Sequence, residues 1–267
     1  MSRFQSTFAR LRNEGTCGLF PYVMAGFPDV PTSHALAVAA LEAGADGFEI
    51  GVPFSDPLAD GATMQRLNAH ALAGGASIET ALDLVRVIRQ RSPETPVAVM
   101  SYYNPLRQHG DQRIAADLAA VGADAAIVPD LPPEESPDLH AALKRHGLDL
   151  VPFLAPTSPA ARIRAVAGLD PSFIYCVALV GVTGARQDLA AELGEFLGNV
   201  RAATPAPLVV GFGISSADHV RRAARLGAAG VIVASALADV VEQSSDPVSA
   251  ARAYLVELKH AATAVAP

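Results

Sequence analysis

The sequence reads AGADGFEIGV over residues 43–52, where a helix end is followed at once by a strand. An Ala- and Leu-rich segment stops at Gly44, and glycine readily takes the left-handed conformation that closes a helix. A run of β-favouring residues then follows. The same order returns as VGAD at 121–124, HGLD at 146–149 and LGAA at 226–229. A repeated helix end just before a strand predicts alternating helices and strands.

Eight β-rich runs alternate with helical segments along the chain. The runs cover 16–26, 46–52, 96–104, 124–130, 148–156, 173–179, 207–214 and 230–235, and the helical segments include 33–43, 78–91, 133–146, 159–167 and 217–226. Strands joined through helices pair in parallel, and eight such units predict a closed (β/α)8 TIM barrel of the α/β class. The alternative is an open doubly wound sheet, but AGFPD at 25–29 lacks its glycine pattern. We therefore predict one domain over residues 1–267.

The first residues predict a helix that caps this barrel. Phe4, Phe8 and Leu11 follow the spacing of one helical face. The same segment contains Arg and Ser without an acid, which a transit peptide would also show. We prefer the capping helix, and no apolar stretch approaches the roughly 18 residues of a membrane span. We therefore expect a soluble, cytoplasmic protein.

The amino-acid composition argues against several classes of protein and of reaction. The hydrophobic fraction is 51% and the net charge is −7, which argues against disorder and against a broad nucleic-acid or membrane surface. Cys17 and Cys176 lie far apart and predict reduced, buried thiols. Lys144 and Lys259 lie in helical segments, so a Schiff-base aldolase lacks its lysine at a strand end. No His follows a strand either. These absences predict acid–base chemistry without a metal or cofactor.

Glu49 is the first candidate for that chemistry. Its apolar neighbours Phe48 and Ile50 face the helices, so strand alternation points Glu49 into the barrel. A carboxyl group there loses hydration, which raises its pKa and suits it to general acid–base work. The alternative is a buried ion pair. Asp56 and Asp60 follow on a proline-stiffened loop. They could supply a second acid with a different pKa, or they could serve only in turn formation and helix capping.

Two later segments suit a phosphorylated substrate. Gly211 and Gly213 end the seventh strand, and Ser235 is placed to cap a short helix over 236–242. Backbone N–H groups and a helix N-terminus there would bind phosphate without a lysine. The alternative is that these glycines serve close packing alone. The connection VGVTGARQD at 180–188 predicts a mobile lid or an ordinary exposed loop.

Five motifs together resemble the tryptophan synthase alpha family. They are GFEIGVPFSDPLADG at 47–61, SYYNP at 101–105, VPDLPPEES at 128–136, GVTGAR at 181–186 and GFGIS at 211–215. The resemblance runs from the N-terminal helix to about residue 260. It implies the lyase reaction of late tryptophan biosynthesis, in which indole-3-glycerol phosphate gives indole and glyceraldehyde 3-phosphate. It also implies a pyridoxal-phosphate-dependent beta subunit, joined as alpha2-beta2, that receives indole through a channel.

The resemblance assigns roles to individual residues. It makes Glu49 a proton shuttle that protonates indole C3 and assists deprotonation of the glycerol hydroxyl. It makes Asp60 the group that stabilises positive charge at the indole N–H. The beta subunit would contact the loops around 53–60 and 181–188. The implied substrate-binding residues are Tyr22, Met100 and Ile127 at the indole, Tyr175 beside the substrate, Gly184, Gly213, Ala234 and Ser235 at the phosphate, and Thr183, Gly211 and Phe212.

The chain departs from the family pattern in three places. Ala62 stands where proline is usual, Ala234 where the phosphate-site glycine is usual, and Ala178-Leu179-Val180 where polar residues are common. Glu49 and Asp60 are retained. Two alternatives remain beside the complete enzyme: a free-standing lyase that releases indole, and a catalytically silent barrel that activates a beta subunit.

Overall fold

The computed structural model describes residues 1–177, 186–211 and 213–264, with the backbone alone for 186–191. The described strands are all parallel and form one nearly closed barrel in the order β5-β4-β3-β2-β1-β9-β8-β7-β6. The strands are β1 Gly18–Met24, β2 Phe48–Gly51, β3 Val97–Met100, β4 Ala125–Ile127, β5 Asp149–Val151, β6 Phe153–Leu154, β7 Ile174–Val177, β8 Leu208–Gly211 and β9 Gly230–Val233. The predicted TIM barrel is confirmed.

Helices surround this barrel, and the predicted helical segments are confirmed with shifted ends. They are α1 Arg3–Glu14, α2 Val30–Glu42, α3 Ala62–Ala73, α4 Ile78–Arg91, α5 Tyr103–His109, α6 Asp111–Val121, α7 Pro137–Arg145, α8 Ala160–Ala167, α9 Arg186–Ala203, α10 Ala217–Arg225, α11 Ser235–Gln243 and α12 Pro247–Thr263. The segment 133–146 begins with a 3-10 turn at Pro133–Glu135 before α7. None of the helices in the described ranges is long and apolar enough to cross a membrane.

The fifth predicted strand is divided at Pro152, so the structure has two short strands where the sequence predicts one. Proline has no N–H to donate to the ladder. On one side β5 pairs with β4, and on the other β6 pairs with β7. The carbonyl of Pro152 accepts a hydrogen bond from the Tyr175 N–H at 3.0 Å. The chain itself therefore closes the barrel at this proline.

The repeated helix ends also fasten neighbouring strands. The glycines of all four motifs have positive φ, as helix termination requires. Two of the motifs then place a buried aspartate at the start of a strand. Asp46 accepts the Leu19 N–H and Asp124 accepts the Val97 N–H, each at 2.9 Å. Each carboxylate thus bonds the backbone of the strand beside it.

Helix α1 covers the amino-terminal end of the barrel as predicted. Its Phe4 and Phe8 rings have centroids 4.9–6.2 Å from those of Phe20 and Phe173. Two arginines on the helix also reach the strand-start aspartates. The ion pairs are Arg3–Asp124 at 2.9 Å and Arg10–Asp46 at 2.7 Å. The helix is therefore held by both apolar packing and charge.

The barrel interior alternates large and small side chains. The Tyr22 hydroxyl lies 1.8 Å from where a Cβ on Gly51 would stand, and the Tyr175 hydroxyl lies 2.2 Å from that position on Gly211. A side chain at either glycine would displace the tyrosine. These glycines therefore make room for two hydroxyl groups in the upper half of the barrel, where active sites of this fold lie.

Candidate active site

A cavity of about 300 Å³ opens at the carboxyl ends of the strands. Its described lining is apolar for the most part, with two carboxylic acids and two tyrosines. The lining residues are Tyr22, Glu49, Ala59, Asp60, Gly61, Ala62, Thr63, Met64, Met100, Pro129, Phe153, Tyr175, Gly213, Ile214, Ile232, Ala234 and Ser235. Such a cavity, largely apolar with a few convergent polar groups, is typical of a small-molecule site.

Glu49 lies inside the barrel, as strand alternation predicts. It is 4% exposed, and among the described residues its Oε2 atom has no hydrogen-bond partner. Burial, followed by the nearby charge of Asp60, raises the pKa of Glu49 to about 8. The side chain is therefore protonated at neutral pH and able to give its proton to a substrate. No ion pair to Glu49 occurs among the residues that the structure describes, which disfavours the buried-pair alternative.

Asp60 enters the cavity from the loop between β2 and α3. Burial raises the pKa of Asp60, while hydrogen bonds from Tyr102 and Asn68 act against that rise. The Asn68 Nδ2 donates to Asp60 Oδ2 at 3.2 Å and to the Met64 carbonyl at 2.9 Å. The Asn68 Oδ1 accepts the Phe54 N–H at 2.8 Å. One buried amide therefore joins both ends of this loop to the Asp60 carboxylate.

Asn68 and Tyr102 were not identified from the sequence. Tyr102 lies within a quoted motif, and its hydroxyl accepts the Ala59 N–H at 3.0 Å. Asn68 is a polar residue inside a helix, and no local pattern marks it. Asp56, the other loop acid, is exposed and accepts a hydrogen bond from the Ser55 hydroxyl. Asp56 does not line the cavity, which supports the turn interpretation for it.

The predicted phosphate end is the N-terminus of α11. The sequence predicts Ser235 as the cap of a helix over 236–242, and this detail is wrong. Ser235 is the first helical residue, and Ala234 is the N-cap with φ −121° and ψ −86°. No side chain from the described residues caps this helix. The Ser235 hydroxyl and the first N–H groups of α11 are therefore left for a ligand at the cavity.

The other predicted binding residues are distributed differently. Tyr22, Met100, Tyr175 and Gly213 line the cavity. Ile127 instead borders a small void deeper in the barrel, and Gly211 lies beside the Tyr175 ring. Thr183, Gly184 and Phe212 lie outside the described residues, as do Ala178-Leu179-Val180 and the first part of the predicted lid. Helix α9 begins at Arg186, so the end of the predicted loop is helical.

Phe153 is a lining residue that the sequence did not reveal. Its ring is stacked on that of Tyr175, with centroids 4.7 Å apart and an interplanar angle of 29°. Because Pro152 divides the strand, alternation along the predicted run does not show which side chains face inward. Ala62, one of the departures from the family pattern, is the first residue of α3 and lines the cavity.

Comparisons with known proteins identify the family of this chain. The family described as tryptophan synthase alpha chain matches residues 8–265. The chain is a member of that family. A tryptophan synthase alpha chain from Roseiflexus castenholzii is 54% identical over 253 residues, covering 95% of this chain and 97% of the relative. One from Chloroflexus aggregans is 48% identical over 260 residues, covering 97% of each.

Solved structures of the family superpose on the whole barrel. A structure of Mycobacterium tuberculosis tryptophan synthase has a TM-score of 0.89 and 36% identity, covering 98% of each chain. The alpha chain from Legionella pneumophila has a TM-score of 0.90 and 32% identity, covering 99% of this chain and 98% of the other. Family membership places the chain in tryptophan biosynthesis and among the lyases.

Proposed function

We propose that this chain cleaves indole-3-glycerol phosphate to indole and glyceraldehyde 3-phosphate. The observation that carries the proposal is the buried Glu49, protonated at neutral pH and facing the same cavity as Asp60. Two carboxyl groups in different environments are suited to separate acid–base and electrostatic roles. Glu49 would transfer protons to a substrate carbon and from a substrate oxygen. Asp60 would stabilise the positive charge that forms at the indole nitrogen.

The reaction proceeds in two proton transfers. Glu49 gives its proton to indole C3, which makes the ring nitrogen cationic, and the Asp60 carboxylate stabilises this charge. Ionised Glu49 then takes the proton of the glycerol hydroxyl next to the ring. The carbon–carbon bond breaks, its electron pair returns to the indole, and the hydroxyl carbon becomes the aldehyde. Glu49 ends protonated, as it began.

The phosphate group is held by backbone donors in this proposal. No Lys or Arg is present in the described lining of the cavity. The uncapped N-terminus of α11 offers free N–H groups and the positive end of a helix dipole. Gly213, Ala234 and Ser235 all line that end of the cavity. An acidic protein can therefore bind a phosphorylated substrate locally.

A beta subunit is the proposed recipient of indole. The loop between β2 and α3 carries Leu58, which is 91% exposed. Its neighbour Ala59 lines the cavity, so a partner that covered Leu58 would also lie over the cavity. Several of the similar solved structures are of M. tuberculosis tryptophan synthase, including an aminoacrylate-bound form. We propose an alpha2-beta2 assembly with a pyridoxal-phosphate-dependent beta subunit, acting in the cytoplasm.

The deciding experiment measures indole release from indole-3-glycerol phosphate, with and without a beta subunit. Activity that rises with the beta subunit supports the proposal. Equal activity in both assays would indicate the free-standing lyase, and no activity with activation of the beta subunit would indicate the silent barrel.

Glu49→Gln should lose roughly 10²–10⁴-fold in kcat, while it still binds indole-propanol phosphate. Asp60→Asn should lower kcat more than it raises KM. Full activity in EDTA would support metal-free chemistry.

A further inference from the structure

The Tyr22 hydroxyl has no role in the reaction as described so far. Tyr22 is 6% exposed, and the described partner of its hydroxyl is the Met24 Sδ atom at 3.8 Å. A thioether sulfur is a weak acceptor. Burial, followed by the charges of Asp60 and Glu49, raises the pKa of Tyr22 well above its ordinary value. The group is therefore a neutral donor that keeps its hydrogen throughout the working pH range.

Glu49 is the neighbouring group that could accept this hydrogen bond. Tyr22 on β1 and Glu49 on β2 are directly paired in register, and both line the cavity. Neighbouring strands are roughly 4.8 Å apart, so paired inward side chains stand side by side. The Tyr22 hydroxyl lies against Gly51, the next inward position after Glu49 on the same strand. Within the described part of the chain, the Oε2 atom of Glu49 has no hydrogen-bond partner.

We propose that Tyr22 is a positioning residue whose hydroxyl turns from Met24 to the Glu49 carboxylate when that carboxylate becomes charged. The inference rests on the proposed function, in which Glu49 ionises after giving its proton to carbon. A thioether acceptor suits the protonated state, because it holds the hydroxyl weakly. A carboxylate is a much stronger acceptor. The hydrogen bond would therefore strengthen as the reaction proceeds, which is how an interaction accelerates a chemical step.

Other titratable groups surround Glu49 and must be separated from Tyr22. Among the described residues they are Tyr175 from β7 and Asp60 from the loop after β2, with Tyr102 beside Asp60. Tyr175 is the rival donor, because its hydroxyl faces the same cavity. Asp60 is an acid that opposes ionisation of Glu49 through its charge. The Tyr102 hydroxyl forms hydrogen bonds with the Asp60 side chain and the Ala59 N–H.

The test is the pH dependence of the Tyr22→Phe variant. Activity requires protonated Glu49, so kcat/KM of the wild type falls as pH rises through the pKa of Glu49. Loss of a donor to the charged form should move this alkaline limb upward by about one pH unit and lower kcat about tenfold, with little change in KM. Damage to packing would admit water, which lowers a pKa raised by burial and moves the limb downward. The direction of the shift separates the two causes.

Two variants complete the test. Met24→Leu keeps the donor and removes its resting acceptor, so the limb should stay in place or move slightly downward. Tyr175→Phe removes an equal hydroxyl from the opposite wall, and its limb should move less than that of Tyr22→Phe. A larger upward shift in Tyr175→Phe, or none in Tyr22→Phe, overturns the inference. Titration of the 13C-labelled Glu49 carboxyl by NMR gives the same comparison without turnover. If Tyr22→Phe raises the pKa of Glu49 in this titration but the wild type does not cleave indole-3-glycerol phosphate, the proposed function is refuted while the Tyr22–Glu49 interaction stands.

Discussion

At the scale of single residues, the position of Glu49 links activity to stability. The barrel encloses a carboxyl group whose Oε2 atom finds no hydrogen-bond partner in the residues that the structure describes. Burial raises the pKa of Glu49 from an ordinary value of 4.5 to about 8. Between these values the unfolded chain has released the proton and the folded chain still holds it. Folding stability contributed by this group is therefore lost as pH rises across this range.

Glu49→Gln should reverse that loss, because glutamine cannot ionise. We expect the variant and the wild type to differ least in free energy of unfolding near pH 5. The variant should gain on the wild type by up to about 1.4 kcal/mol per pH unit toward pH 8. Urea unfolding at pH 5, 6.5 and 8 measures the difference. A difference independent of pH would show that Glu49 titrates normally in the folded protein.

Asn68 is the second residue whose side chain has a large predicted effect. Asn68→Ala removes hydrogen bonds to Asp60, Phe54 and Met64, which are half-buried. Each of these groups that then stays unsatisfied costs up to about 1–3 kcal/mol. We expect lower stability and a fall in kcat, because the Asp60 carboxylate loses its donor. Gln65→Ala is the control, since exposed Gln65 donates to the Asp60 carbonyl and not to its carboxylate. Equal effects of both variants would contradict a specific role for Asn68.

At the scale of elements, α1 depends on the strand-start aspartates. Asp124 accepts hydrogen bonds from Arg3, Arg89 and the Val97 N–H, and it is buried. Asp124→Ala should therefore destabilise the protein by about 3–5 kcal/mol, because the partly buried Arg89 guanidinium loses its carboxylate partner and the Val97 N–H loses its acceptor. Thermal and urea unfolding give the value.

The exposed pair of Asp83 and Arg86 on α4 provides the matched control. Asp83→Ala removes an aspartate from an ion pair that remains in water, so the expected cost is about 0–1 kcal/mol. Comparable losses in Asp83→Ala and Asp124→Ala would mean that burial of the Asp124 carboxylate adds nothing.

Helix α11 is the second element that carries a prediction. Its Ser235 hydroxyl is not used as a cap, so Ser235→Ala should weaken phosphate binding by about 1.5–3 kcal/mol with little effect on folding. Ala234 has φ −121°, outside the region that favours glycine. Ala234→Gly should therefore be neutral or improve affinity by removing a methyl group. Calorimetry with glycerol 3-phosphate tests both, and unchanged binding in Ser235→Ala would remove the hydroxyl from the site.

At the scale of the whole molecule, the exposed loop before α3 is the surface that we propose contacts a beta subunit. Leu58 packs against nothing large in the described structure, being 91% exposed. Leu58→Ser should leave folding and the activity of the isolated chain nearly unchanged. It should reduce the rate increase caused by a beta subunit at least severalfold. Assays of both proteins over a beta-subunit titration decide this, and an unchanged response would exclude Leu58 from the interface.

The sequence by itself determined the barrel and the direction of Glu49. Both depend on local signals: glycine closes each helix in the left-handed conformation, and successive strand residues face opposite sides. The same is true of α1, whose apolar face is visible in the spacing of Phe4, Phe8 and Leu11. These features need no knowledge of distant parts of the chain. They were accordingly predictable before any contact was known.

Only the tertiary structure decided how the site is completed. The Asn68 amide reaches Asp60, the Tyr102 hydroxyl meets the Ala59 N–H, and Phe153 stacks on a tyrosine of another strand. Ser235 is a helical residue, because the packing of α11 decides where that helix begins. Ile127 lies below the cavity, because packing in the barrel decides how deep the cavity reaches. The pKa of Glu49 likewise depends on how completely the closed barrel excludes water. Each of these properties arises between segments that closure of the barrel brings together, and no local pattern encodes them.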